Sequence, residues 1–203
     1  MKTEEKINLA QLYCGTKALG PGFRSAIWVQ GCARKCPGCL SPEWAEEKSN
    51  VLVAPDELAA IVLQDPSITG ITLSGGEPFL QATQLREFIV ECKKIRDVDV
   101  ICFTGFTLNE LRTSTSLVSA EALLSEIDVL IDGPYMKQLD NNVGLRGSTN
   151  QNVIHLTNRL ATYDFENCPR TVELHIQDNS DLLMVGVPSN FVKSLLSIPC
   201  TDE

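Results

Sequence analysis

Gly31-Cys32-Ala33-Arg34-Lys35-Cys36-Pro37-Gly38-Cys39 follows closely on the apolar run Ala26-Ile27-Trp28-Val29. That run reads as a buried strand, which places the three cysteines on a loop at a strand's C-terminal end. Thiolates spaced C-x-x-x-C-x-x-C on one short loop can close on a single iron-sulfur cluster, yet three ligands leave one iron without a protein partner. Such a site invites a cofactor or substrate. Structural zinc is the competing reading. Zinc favours four ligands in two separated pairs, and the chain holds no second C-x-x-C pair. The spacing by itself leaves both metals open.

The remaining cysteines are scattered. Cys92 falls on the apolar face of an expected helix and Cys102 inside an expected strand, where a free cysteine behaves as a small core residue. Cys14 and Cys168 fall near expected loops, and for these two and Cys200 a further role stays open. Eight cysteines in 203 residues, with no signal peptide and no membrane-spanning run, predict a reduced, cytoplasmic protein without disulfides. A net charge of -9 with no basic run argues against a nucleic-acid partner.

A second motif lies about forty residues on. Ile71-Thr72-Leu73 is a short apolar strand that runs through Ser74 into Gly75-Gly76-Glu77-Pro78. Glycines at a strand's C-terminal end let the backbone approach a ligand, and Glu77 sets an anion there that suits an ammonium group. Alone, the same composition is that of a common strand-to-helix turn.

Together the two motifs resemble the radical S-adenosylmethionine superfamily. Later stretches extend the likeness in order: Thr104-Gly105-Phe106, Asp128 to Tyr135, and Leu145-Arg146-Gly147-Ser148-Thr149-Asn150-Gln151. They look like the landmarks of the proteins that activate anaerobic ribonucleotide reductase, a branch of the glycyl-radical enzyme activases, and the match covers residues 6 to 156. Many superfamily members carry an aromatic before the third cysteine. This chain has Pro37-Gly38, as the reductase-activase branch often does, which removes adenine stacking from that position.

The resemblance implies that Cys32, Cys36 and Cys39 hold a 4Fe-4S cluster and that its open iron takes the amino and carboxylate groups of S-adenosylmethionine. Gly75, Gly76 and Glu77 would surround the ammonium, with Gly38, Thr104 and Gly105 beside the cofactor. Asp132 would hold a ribose hydroxyl, a cation or a neighbouring loop, and Arg146 the methionine carboxylate or a ribose oxygen; a plain strand-end carboxylate and a surface arginine are equally good readings. Arg34 and Lys35 would attract an anionic electron donor such as flavodoxin, or be solvated. The loop Gly20 to Arg24 reads as a hairpin turn, with a cover over the cluster as the alternative. His155 and His175 sit inside expected strands as structural residues.

The pattern along the chain predicts an α/β fold. Residues 6 to 13 pair with 26 to 30 across Gly20-Pro21-Gly22. A helix opens at Pro55-Asp56-Glu57 and runs to Gln64, where Asp65-Pro66 stops it. A strand at 70 to 73 precedes a helix over 81 to 95 with Leu85, Phe88, Ile89, Cys92 and Ile95 on one face. Strands follow at 98 to 103, 127 to 131 and 152 to 156, with helical pieces at 107 to 112 and 119 to 126. About six strands are too few to close an eight-stranded barrel, so the expectation is an open, partial (β/α) barrel of the radical S-adenosylmethionine type, with function at the strand C-termini. Beyond 160, strands at 171 to 176 and 182 to 187, joined by Gln177-Asp178-Asn179-Ser180-Asp181, and a helix opening at Pro188 with Phe191, Leu195 and Leu196 apolar, would finish the sheet edge and pack on it. One domain spans 1 to 203.

A short chain with an open barrel side implies a large partner that presents a glycine to the rim: a glycyl-radical enzyme or another peptide substrate. A stand-alone enzyme acting on a peptide or small molecule is the alternative, and a non-catalytic iron-sulfur or zinc protein a third. Cys32→Ala should abolish cluster-dependent cleavage of S-adenosylmethionine after anaerobic reconstitution, and Cys92→Ala should leave it largely intact; an equal loss at Cys92 would overturn the ligand assignment.

Overall fold

The computed structural model describes residues 6–177 and 181–196. Cys200 and the middle of the expected turn, Asp178-Asn179-Ser180, lie outside them. Strands β1 (Ile7–Thr16) and β2 (Arg24–Val29) form the expected antiparallel hairpin, and β1 pairs on its other edge with the three-residue β3 (Val51–Val53). From β2 the sheet continues in parallel through β4 (Gly70–Gly75), β5 (Asp99–Phe103) and β6 (Val129–Asp132), and ends on the antiparallel β7 (Asn152–His155). The seven strands lie in the order β3-β1-β2-β4-β5-β6-β7. The strand beyond the six expected is β3, too short to carry a periodicity. Cys14 lies within β1, since the hairpin extends further toward its turn than the sequence indicates.

Four parallel neighbours bring their C-terminal ends, Val29, Gly75, Phe103 and Asp132, onto one rim. The cysteine loop, the Gly75-Gly76-Glu77 turn, Thr104 to Phe106 and Asp132 to Tyr135 all start there, as expected. The Gly20-Pro21-Gly22 turn sits at the N-terminal end of β2, opposite the cysteine loop, and is a hairpin turn only.

Alternation along the strands divides the interior into two cores. Ile27, Val29, Ile71, Leu73, Val100 and Cys102 face one side. There they pack on α1 (Pro55–Val62), α2 (Ala82–Ile95), α3 (Leu108–Thr113) and α4 (Ala120–Leu124). In α2, Leu85, Phe88, Ile89 and Cys92 are buried as the spacing predicts, but Ile95, at the last turn, is 52% exposed and leaves the stripe. Burial pushes the Cys92 thiol up to about 12, which suits packing and not ligation. The next residue, Arg96, donates to the carbonyls of Leu63, Asp65, Pro66 and Ile68 and so ties the end of α2 to the end of α1.

Ala26, Trp28, Ile101, Val129 and Ile131 face the other side. Here the C-terminal segment packs on the sheet as expected but departs in its pairing. Strands β8 (Val172–Ile176) and β9 (Leu182–Gly186) pair only with each other and do not finish the sheet edge. The reason is amphipathicity across the hairpin: Leu183, Val185 and the following Val187 are buried against Trp28, Val129 and Ile131, so the hairpin covers a face. The short helix α5 (Asn190–Leu196) follows, with Phe191 and Leu195 exposed. Among the described residues no helix is long and apolar enough to cross a membrane.

The first residue of β2 anchors the sheet under this second core. Arg24, fully buried, donates to Thr72 Oγ1 at 2.8 Å, Pro21 O at 3.0 Å and Ile71 O at 2.7 Å, and pairs with Asp99 at 2.5 Å. Gly70 is required beside it, because a Cβ there would lie 2.4 Å from the guanidinium. Removing one partner of a buried pair leaves the other uncompensated. Arg24→Ala should therefore lower the unfolding free energy by about 3 kcal/mol, measured by urea denaturation, the low end of the range because Asp99 keeps some contact with solvent.

Candidate functional site

After β2 the chain turns at Gly31, whose φ of +96° suits glycine, and enters the cysteine loop. Three backbone bonds fix the entry. Gly31 N donates to Trp44 O at 2.9 Å, Cys32 N to Ala45 O at 3.0 Å, and Gly31 O accepts from Glu77 N at 2.8 Å. On the other side Gly76 N donates to Val29 O at 2.7 Å. A Cβ on Gly76 would lie 2.2 Å from Gly31 O, and one on Gly75 2.4 Å from Val29 N. The two glycines thus allow the cysteine loop and the β4 turn to meet backbone to backbone, a need separate from any approach to a ligand.

Glu77 is 1% exposed. Its Oε1 accepts from Phe79 N at 3.0 Å and Thr104 Oγ1 at 2.8 Å, and its Oε2 from Gly105 N at 2.8 Å. Burial pushes this carboxyl above its ordinary range, and the bonds from Phe79, Gly105 and Thr104, with Arg34 nearby, pull against it. Two carboxylate oxygens offer about four acceptor directions; these bonds use three of them, and Glu77 lines the cavity beside the cysteines.

That cavity, about 110 Å³, is lined by Cys32, Cys36 and Cys39, by Ser74 through Glu77, and by Thr104 and Gly105. Tyr135 and Gln151 complete it from the β6 side. Gln151 donates to Gly133 O at 2.9 Å and accepts from Gly147 N at 2.8 Å, which holds the 147–151 turn to the end of β6. The residues from 18 to 154 match the family model described as a 4Fe-4S single cluster domain.

The chain belongs to this 4Fe-4S family. It is 36% identical over 160 residues to the anaerobic ribonucleoside-triphosphate reductase-activating protein of Vibrio cholerae, an alignment that covers 73% of this chain and 97% of the relative. The protein of the same name from Escherichia coli K12 is 32% identical over 159 residues, with 74% and 99% covered. The pyruvate formate-lyase-activating enzyme of Staphylococcus aureus is 28% identical over 187 residues, with 87% and 71% covered.

The cysteines of the 4Fe-4S domain fit a cluster better than a single ion. Three thiols on one short loop that line one cavity are the set a 4Fe-4S cluster takes, each meeting a different iron, and one short of the four ligands of structural zinc. Two of them already accept backbone N–H groups, Cys32 from Arg34 and Cys39 from Ser41, both at 3.4 Å. Bonds of this kind to the sulfurs tune a cluster's potential.

The other expected site residues are placed as follows. Gly38 turns at φ +73° beside the Lys137 side chain. Asp132, buried, accepts from Leu108 N at 2.6 Å and Asn152 Nδ2 at 2.8 Å, and Arg146 pairs with Glu166 at 2.8 Å and donates to Gln151 O at 3.2 Å. Neither lines the cavity. Cys168 packs beside the second core, His175 accepts or donates at Tyr13 Oη at 3.0 Å, and His155 meets the edge of Phe165. Tyr135 and Gln151 lie in stretches whose order marks the family, yet nothing in their residue type singles them out as wall residues.

Arg34 is a structural latch that its place between two cysteines does not signal. Its guanidinium lies 4.3 Å from the centre of the Phe106 ring and its Nη2 donates to Glu110 at 2.6 Å, while Lys35 is exposed. Glu110 also closes a capping box on Thr107 at the start of α3. The bond from Arg34, with those from Thr107, holds the Glu110 carboxyl down at about 2. The latch is therefore complete above the ordinary glutamate range and is lost as pH falls through that range toward about 2. Followed by the side-chain carboxyl carbon shift, Glu110 should titrate near 2 in the wild-type chain and higher in Arg34→Ala, but still below the ordinary ~4.3 because the Thr107 bonds remain.

Proposed function

We propose that this chain is a radical S-adenosylmethionine enzyme that activates an anaerobic ribonucleotide reductase by removing a hydrogen atom from a glycine of that partner. The observation that carries the reading is the meeting of three cluster thiols, the Gly75-Gly76-Glu77 turn and the ends of β5 and β6 on one cavity. The activities named for the relatives support it. The sheet is then the open partial barrel of this enzyme class, with its catalytic rim at the C-terminal ends of β2, β4, β5 and β6.

When bound, a 4Fe-4S cluster with S-adenosylmethionine supplies a one-electron cleavage of the sulfonium carbon-sulfur bond that yields methionine and a 5'-deoxyadenosyl radical able to abstract hydrogen. Cys32, Cys36 and Cys39 would hold three irons and leave the fourth for the amino acid end of the cofactor. Glu77, at the wall of the cavity, would take the ammonium, whose charge offsets the desolvation of this buried carboxylate. Thr104 and Gly105 hold Glu77 in that orientation, and the Gly75-Gly76 backbone flanks it. Gly38 keeps the loop turned between Cys36 and Cys39. Asp132 and Arg146 act one step back, as positioning residues that hold the Asn152 and Gln151 backbone against the rim. Apolar Phe103 and Tyr135 help to keep water from the radical. Lys35 and Lys137, exposed beside the cysteine loop, offer an anionic donor such as flavodoxin its contact. A reducing, cytoplasmic setting suits the free thiols.

After anaerobic reconstitution with iron and sulfide, reduction in the presence of S-adenosylmethionine should give 5'-deoxyadenosine and methionine, and addition of the anaerobic ribonucleotide reductase from the same organism should give a glycyl radical by electron paramagnetic resonance. Glu77→Gln should weaken binding of S-adenosylmethionine to the reconstituted protein by about tenfold or more, read by isothermal titration. An intact cluster that yields no 5'-deoxyadenosine would overturn the proposal. Cleavage without any glycyl radical on the reductase would shift it to a stand-alone enzyme.

A further inference from the structure

A further cavity lies beside the cluster site. It is a groove of about 560 Å³ between Gln11 and Trp28 of the sheet, Leu40 to Trp44 behind the third cysteine, and Leu182 to Gly186 of β9. A smaller space of about 140 Å³ shares Trp28, Leu40, Ser41 and Gly186 with this groove. It also shares Cys39, Ser74, Gly75 and Tyr135 with the cluster cavity. The cavities therefore adjoin one another, through shared lining residues, from β9 to the third cysteine. The family model's match ends at residue 154, before the hairpin that walls this groove begins.

The wall has the character of a strand edge. β9 is bonded to β8 on one side only. Leu182, Leu183, Met184 and Gly186 all line the groove, although successive side chains of a strand point to opposite faces. A strand shows both parities to one neighbour only along its edge. Unpaired N–H and C=O groups on such an edge are a template for a further extended chain, and the five residues of β9 span about 16 Å. The outer face of the hairpin next to it is apolar: Leu174 is 50%, Ile176 81% and Leu182 51% exposed. Leu174 stands opposite Met184 and Ile176 opposite Leu182.

The hairpin is also fixed in place relative to the rim. Arg170, just before β8, pairs with the buried Asp140 at 2.8 Å and donates to the carbonyls of Gly144, Arg146 and Gly147. Lys193 of α5 reaches the same Asp140 at 2.7 Å and the Tyr135 hydroxyl at 3.2 Å. Tyr135 lines the cluster cavity, so the ion-pair group connects the hairpin's two ends with the cluster site's own wall.

We propose that the β9 edge and this groove receive an extended segment of the partner polypeptide by strand addition and lead its glycine to the cluster cavity. A backbone edge recognises peptide and offers little to a small metabolite, whereas the apolar Trp28, Leu40, Trp44 and Met184 take alternate side chains of the incoming strand. The inference rests on the activase reading above and names where the partner is held.

The test uses the full reconstituted chain with the anaerobic ribonucleotide reductase of the same organism. Leu182→Asp and Met184→Arg place charges on partly exposed side chains, and cluster absorbance and circular dichroism report that each variant is folded and loaded. Each is expected to bind the reductase about tenfold more weakly by biolayer interferometry and to give a correspondingly lower glycyl-radical yield at limiting concentration. A photo-crosslinking residue at position 182 should attach to the reductase segment that carries the radical glycine. Affinity and yield within twofold of wild type, or a crosslink to another region, would overturn the inference while leaving the activase reading intact. Should the wild-type chain itself produce no glycyl radical, the activase reading fails first.

Discussion

The buried Glu77 carboxylate is the interaction on which the rim depends. It takes N–H and O–H donors from Phe79, Thr104 and Gly105, so the ends of β4 and β5 are held to each other by one side chain. Through Glu77 N and Gly31 O the cysteine loop joins the same group. The charge is costly to bury, and only its bonds and the neighbouring Arg34 oppose that cost. The same group is thus a constraint on the fold of the rim, and the glycines before it are needed for contact between protein backbones.

How much of this is legible in the sequence depends on how local the cause is. The hairpin across Gly20-Pro21-Gly22, the helix that opens at Pro55 and the buried stripe of α2 follow from neighbouring residues, and the structure has them. The convergence on one rim follows from parallel order alone. The three-residue β3 is held by pairing with Ile7–Leu9 and carries no pattern of its own. The β8–β9 hairpin shows strands in the sequence, but its destination is set by contacts with Trp28 and Val129, far away in the chain.

The same contrast holds within the site. Cys32, Cys36, Cys39 and Glu77 are visible because their residue types and spacing carry chemistry. Asp132 and Arg146 are also charged residues in suggestive places, yet their side chains are engaged with Leu108, Asn152, Gln151 and Glu166. Charge in a strand-end loop does not distinguish a group that meets a ligand from one that holds the loop. Arg34 illustrates the converse, since a side chain between two cysteines that reads as solvated turns inward onto Phe106 and Glu110.

The placement of β8 and β9 over the second face of the sheet also has a consequence for synthesis. Every element of the cluster rim, from Cys32 to Gln151, leaves the ribosome before the hairpin that covers Trp28, Ile101 and Ile131. At about 5–20 residues per second the interval is on the order of seconds. Through that interval the nascent chain carries its rim segments beside an uncovered apolar sheet, whose closure waits for the hairpin.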